Sequence, residues 1–221
     1  MNDPAASGRS PADAPSARRS YQSPLREEGA AATRTRIVAA ARELFASRGF
    51  GGTTVAMIAK HAKVATPTVY ATFGTKAAIV GEMIARLEAE ADRDRWGSRI
   101  QEEPDPRRKL GLYASFLRKL YSNGRDMWAA AINAASDPAV VELQNHGERE
   151  SREWLAPIIA SLDEAGELAA HLTRDQAIDR AWMLSALELY FRGTTGLGWT
   201  DDQYESWLAE ILGQQLTRQG A

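Results

Sequence analysis

Between Thr54 and Lys76 the chain sets out groups suited to holding phosphates and base edges. Thr54, Thr66, Thr68, Tyr70 and Thr72 carry hydroxyls, Lys63 and Lys76 carry amines, and Pro67 stands between two of the threonines. Threonine hydroxyls donate to phosphate oxygens or bases, and threonine methyls can touch a thymine methyl. A lysine meets phosphate as a point charge. The chemistry of such a set is recognition. Acid–base pairs can be imagined elsewhere, at His146 and Glu148 or at Asp163 and Glu164. Nothing near them sets up a nucleophile, a metal or a phosphate loop, so no catalytic residue and no enzyme activity is expected.

The elements that must position these groups are short helices. Ile37, Val38, Ala41, Leu44 and Phe45 recur at helical spacing, giving a first helix over about 31–48 that Gly49 stops. Thr54 caps a second helix carrying Val55, Ile58, Ala59 and Ala62. After the turn 63–65, Thr66 is expected to cap a third helix with Pro67 at its first position, where the missing N–H costs nothing. Val69 and Phe73 fall on its inner face. Gly74 ends it, and a fourth helix starts near Thr75 or Lys76 with Ile79, Val80, Met83, Ile84 and Leu87 on one side. Two short helices joined by a tight turn form a helix-turn-helix, whose second helix enters the DNA major groove by its N-terminal residues.

The segment RIVAAARELFASRGFGGTTVAMIAKHAKVATPTVYATFGTKAAIVGEMI, Arg36 to Ile84, resembles the DNA-binding domain of the tetracycline-repressor (TetR) family. ARELFASRGF, TTVAMIAKHA and TPTVYATFGTK, in that order and spacing, carry the resemblance. It implies that Thr54 caps the second helix and touches a phosphate. It also implies that Thr66, Pro67 and Thr68 approach bases, that Tyr70 and Thr72 contact the DNA backbone, and that Lys76 holds a phosphate. The family has glycine in the turn where this chain has Lys63. A left-handed Lys63 would be strained by about 1 kcal/mol relative to glycine, and its amine could itself meet a phosphate.

The rest reads as further helices, so the fold class is all-α: an N-terminal three-helix helix-turn-helix domain, then a helical ligand-binding and dimerisation domain. The expected division is a disordered tail over 1–30, a DNA-binding domain over 31–91 with its motif at about 54–73, and an effector-binding and dimerisation domain over 92–221. In the last of these, helices are expected over about 106–122, 125–135, 138–164 (interrupted at Gly147 and bent at Pro157), from Thr173 to about Arg192, and from Thr200 to about Arg218. Met83, Leu87, Tyr113, Phe116, Leu117, Trp128, Asn133, Trp154 and Met183 could line a small-molecule pocket, although an aromatic or Met at helical spacing is more often core than pocket. Trp182, Ser185, Leu189, Trp207 and Ile211 mark stripes on the last two helices. Such stripes either close a monomer core or pair with a second copy in a four-helix interface. The resemblance implies the second, because family members dimerise through their two C-terminal helices.

Bulk properties fit a soluble, cytoplasmic chain. Of its 221 residues, 44% are hydrophobic and 25% charged, with no apolar run long enough to cross a membrane and no signal-like N-terminus. There is no cysteine, and His61, His146 and His171 are far apart; no metal and no cofactor is expected. Charge is uneven. Residues 31–76 hold seven basic groups and one acid, a net of +6, while 77–221 carry −8. A basic head on an acidic body suits a polyanion-binding end. The leading reading is a homodimeric DNA-binding transcription regulator, a repressor on a palindromic operator, released by an apolar or aromatic effector. A helical enzyme and a helical interaction protein without DNA binding are the alternatives.

Overall fold

A computed structural model describes residues 24–132 and 138–218. Among them the fold is all-helical: α1 (Pro24–Arg48), α2 (Val55–His61), α3 (Thr66–Phe73), α4 (Lys76–Glu90), α5 (Arg93–Glu102), α6 (Pro106–Asn123), α7 (Arg125–Ile132), α8 (Pro138–Glu164), α9 (Arg174–Leu184), α10 (Leu187–Phe191), a π-helical turn (Arg192–Gly196) and α11 (Asp201–Leu216). One isolated antiparallel bridge joins Leu168 to Thr217. No helix described is long and apolar enough to cross a membrane.

The head forms because α1, α2 and α3 each have one apolar face and a defined stop. Ile37, Ala41, Phe45, Ile58, Ala59 and Val69 meet in one core with Ile79 and Val80 of α4. Gly49 turns left-handed at φ 71° and its N–H donates to the Phe45 carbonyl at 2.9 Å, closing α1. A side chain at Gly52 would bring a Cβ within 2.4 Å of the Arg48 carbonyl oxygen, so only glycine lets the loop fold back here. The buried Thr53 hydroxyl lies 2.9 Å from the Gly49 carbonyl and 3.2 Å from that of Leu44, satisfying groups freed at the helix end. α4 then runs on from the head, and Met83 and Leu87 join the head core to the body core.

The body packs α4–α6 against α8, α9 and α11. Capping boxes open α9 (Thr173 with Gln176) and α11 (Thr200 with Gln203), as their spacing predicts. Four expectations are corrected. α1 begins at Pro24 rather than near residue 31; its added turns bury nothing described, and Pro24 at the helix start with Leu25, Arg26, Glu27 and Glu28 favours helix locally. An additional helix, α5, follows a left-handed Asp92 at φ 59°. α8 passes without a break through Gly147 and Pro157. The helix expected to reach Arg192 breaks at Ser185 and Ala186. There the Tyr121 hydroxyl donates to the Ser185 carbonyl at 2.8 Å, and Ala186 turns extended at ψ 135°.

Candidate nucleic-acid interface and effector region

α2 and α3 are held at a fixed angle by the turn 62–65. The Val64 N–H donates to the Ala59 carbonyl at 3.0 Å, and Lys63 sits left-handed at φ 54°. The strain expected of a non-glycine residue here is therefore present. The Lys63 side chain is exposed.

Each expected contact residue has a definite place. The Thr54 hydroxyl accepts from the Met57 N–H at 3.2 Å, capping α2, and its own proton points to no acceptor among the described residues. α3 opens one residue earlier than expected. Ala65 is its cap and Thr66 its first residue, so the Thr66 hydroxyl is not a cap. The hydroxyls of Thr66 and Thr68 make no hydrogen bond among the described residues, and Pro67 lies exposed between them. Tyr70 is 53% exposed, a large aromatic with no burial to explain it. Val69 is buried at 2% exposure and Phe73 packs against the core, the inner face foreseen for both.

Two expectations change. The Thr72 hydroxyl donates to the Thr68 carbonyl at 2.7 Å, so its proton is used within α3 rather than offered outward. Lys76 turns inward. Its Nζ donates to the Phe50 carbonyl at 2.7 Å and the Thr53 carbonyl at 2.9 Å, and lies 3.9 Å from the centre of the Phe50 ring. Lys76 therefore clamps the loop between α1 and α2 to the start of α4, which also relieves its misfit at a helix N-terminus.

Arg34 does for α3 what Lys76 does for that loop. Its guanidinium lies 4.5 Å from the Phe73 ring centre, donates to the Thr72 carbonyl at 3.4 Å, and pairs with Glu82 of α4 at 2.6 Å. The hydrogen bond from Arg34 holds the Glu82 carboxyl below the usual range. Arg42 pairs with Asp126 of α7. The block's one acid, Glu43, is bonded to His61 at 2.5 Å. Among the described residues this leaves Arg36, Arg48, Lys60 and Lys63 as head cations with no carboxylate partner. The charge count contained Arg36, Arg48 and Lys60, but nothing local in the sequence marks which cations the fold consumes.

In the body, Met83, Leu87, Tyr113, Phe116 and Leu117 are at most 5% exposed and belong to the packed core. Trp128 is half-buried, with Nε1 donating to the Leu120 carbonyl at 3.2 Å. Trp154 packs at a tilt against Phe116 and Tyr113, with ring centres 4.5 Å and 6.0 Å away, and lines a cleft between α5, α6 and α8. Asn133 lies outside the described residues. Met183 is 64% exposed, so it lines no pocket here. Ala177 and Ala181 define the inner face of α9, and two residues beyond Ala181 a helix has turned to its opposite side. The same geometry puts Ser185 back inside at 5% exposure, with its hydroxyl on the Ala181 carbonyl at 2.6 Å; as an interface residue it is corrected. Trp182, Leu189, Trp207 and Ile211 remain partly open, and Trp207 packs at a tilt against Trp199, ring centres 5.8 Å apart.

Residues 37–83 match the family model of bacterial regulatory proteins, tetR family. No curated protein matches the chain. Among solved structures, it is similar to NalD, the secondary repressor of the MexAB-OprM multidrug efflux pump in Pseudomonas aeruginosa. That likeness has a TM-score of 0.72 at 23% identity and covers 87% of this chain and all of NalD. It is also similar to the transcriptional regulator FadR from Bacillus subtilis in complex with stearoyl-CoA (TM-score 0.67, 20% identity, 82% of this chain and 98% of that one). A regulator from Saccharomonospora viridis in complex with choline gives a TM-score of 0.65 at 21% identity, over 84% and 98% of the two chains. These likenesses establish a shared fold.

Proposed function

We propose that this tetR-family transcription regulator works as a homodimer that reads a palindromic operator with α3 and is released from it by a small molecule. The observation that carries the reading is the N-terminal half of α3. Thr66 and Thr68 keep unspent hydroxyls beside exposed Pro67, and Tyr70 stands 53% exposed one turn on. Unpartnered polar groups and an exposed aromatic on a short, tightly held helix suit a partner of base edges and phosphates. Thr54 at the mouth of α2, with Lys63, Lys60, Arg48 and Arg36, would take phosphates. Lys76, Thr72 and Arg34 would hold the reading helix rather than touch DNA.

Two such helices reach successive major grooves only if their separation is near one helical turn of DNA, about 34 Å. That requirement favours a dimer, and the partly open Trp182, Leu189, Trp207 and Ile211 are the surface for it. The body supplies the control. An effector that binds better to the state with its recognition helices further apart would weaken DNA binding by its differential affinity, about 1–3 kcal/mol. The related folds solved with stearoyl-CoA and with choline make a small-molecule ligand a natural expectation for this body. We read the regulation as repression, lifted when the effector releases the operator.

Selection of genomic fragments on the purified protein, followed by footprinting at two salt concentrations, tests the reading. A protected inverted repeat whose affinity falls with salt is expected. Protection of a single half-site by a monomeric protein would overturn the dimer, and salt-independent recovery would overturn phosphate contact.

A further inference from the structure

The basic head contains a single acid and a single group whose charge ordinarily changes near neutral pH, and the two are bonded to each other. Within residues 31–76 Glu43 is the only carboxylate and His61 the only histidine. His61 Nε2 lies 2.5 Å from Oε2 of Glu43, joining the last turn of α2 to α1. A carboxylate oxygen at that distance accepts a proton, so Nε2 carries one whether the ring is neutral or charged. Nδ1 makes no hydrogen bond among the described residues. The side chain is 48% exposed, so Nδ1 is open to take a second proton from solvent.

The surroundings of that second proton are simple. Glu43 faces the ring from α1, and the last turn of α2 adds the negative end of its helix dipole; both favour the charged ring. The α1 neighbours of Glu43 one turn away, Ala39, Ala40, Ala46 and Ser47, are uncharged, and Arg42 is held by Asp126. α3, the other helix packed on α2, carries no charged residue. Lys60 and Lys63 flank His61 on its own segment and oppose a further positive charge. The other two histidines lie in the body, His146 on α8 and His171 beyond its end.

We infer that the Glu43–His61 pair makes DNA binding by the head tighten as pH falls, an inference that rests on the DNA reading above. With the ring neutral, the Glu43 carboxylate keeps its full charge among the head's cations and repels phosphate. A proton on Nδ1 turns the hydrogen bond into an ion pair and raises the net charge of residues 31–76 from +6 to +7. His61 stands one short turn, 62–65, before Thr66, so the charge is added beside the start of α3. One unit charge about 10 Å from a phosphate in water changes affinity about twofold. Acting on several phosphates, it gives about two- to fourfold at low salt and less as salt screens it.

Fluorescence anisotropy of the full chain on a random-sequence duplex of about thirty base pairs, in about 50 mM salt at about pH 6 and about pH 8, tests it. Wild type is expected to bind about two- to fourfold more tightly at the lower pH. His61→Gln should show the weaker affinity at both pH values. His61→Lys keeps a cation beside Glu43 and should show the tighter affinity at both. The position is half exposed, so both variants should melt close to wild type. Equal wild-type affinity at the two pH values, a pH response retained by His61→Gln, or one retained by His61→Lys would each overturn the inference. Binding at neither pH would remove the DNA reading and this inference with it, so the two failures are read apart.

Discussion

The Arg42 guanidinium on α1 grips the Asp126 carboxylate on α7 through two hydrogen bonds, Nε to Oδ2 at 2.8 Å and Nη2 to Oδ1 at 2.7 Å. This fork joins the helix-turn-helix head to the body, where the proposed effector would act. Both side chains are about two-fifths exposed, so the pair contributes little to stability, about 0.2–1 kcal/mol. As a link between α1 and α7, the pair would bear on the angle between head and body if an effector moves one against the other. Asp126→Asn is therefore expected to lower the melting temperature by no more than a few degrees while changing how strongly effector and DNA binding oppose each other. The hydrogen bond from Arg42 holds the Asp126 carboxyl below the usual aspartate range. The pair's contribution is then complete above about pH 4, the ordinary unfolded value, and is lost as pH falls through the lower folded one. Melting curves of wild type and Asp126→Asn should converge only below pH 4; convergence at neutral pH would show that the fork stabilises nothing.

Lys63 combines a backbone cost with an exposed charge. Replacing it with glycine removes the left-handed strain and should raise stability by about 1 kcal/mol. The same change removes a cation beside α3, so the salt dependence of DNA binding should fall by about one phosphate contact. Thermal melts and binding isotherms at three salt concentrations check both halves. A stabilised variant with an unchanged salt slope would mean that Lys63 touches no phosphate.

Lys76 separates a clamp from a phosphate ligand. Lys76→Met leaves the Phe50 and Thr53 carbonyls without the ammonium, at a cost of about 1–3 kcal/mol. A clear loss of thermal stability is expected, with DNA binding recovered in part when the protein is cooled. An unchanged melting temperature with lost DNA affinity would restore Lys76 to the DNA contacts.

Much of the head was legible because its signals are local. Gly49, Thr54, Gly74 and Thr75 end or open helices through bonds within a few residues, and the capping boxes at Thr173 and Thr200 work in the same way. What the sequence could not give is where long side chains go once the chain is folded. Lys76 finds carbonyls 26 and 23 residues away, and Arg34 finds Glu82 48 residues away. The exposure of Met183 and burial of Ser185 follow from which face of α9 meets the core, and the break after Ser185 depends on the hydroxyl of Tyr121, 64 residues distant. Aromatic content alone did not distinguish filled core at Tyr113 and Phe116 from an open wall at Trp154.

The hydroxyls of Thr66 and Thr68 and the exposed Tyr70 carry the functional reading, and the fold does not use them. Genomic-fragment selection run side by side on wild type and on the triple variant Thr66→Val, Thr68→Val, Tyr70→Phe tests this most directly. Each lost bond to a phosphate or base costs about tenfold in affinity, while the melting temperature should hold. Wild type should enrich an inverted repeat with half-sites one helical turn apart, and the variant should enrich nothing. Recovery of the same repeat by both proteins, or of no repeat by wild type, would contradict DNA reading by α3.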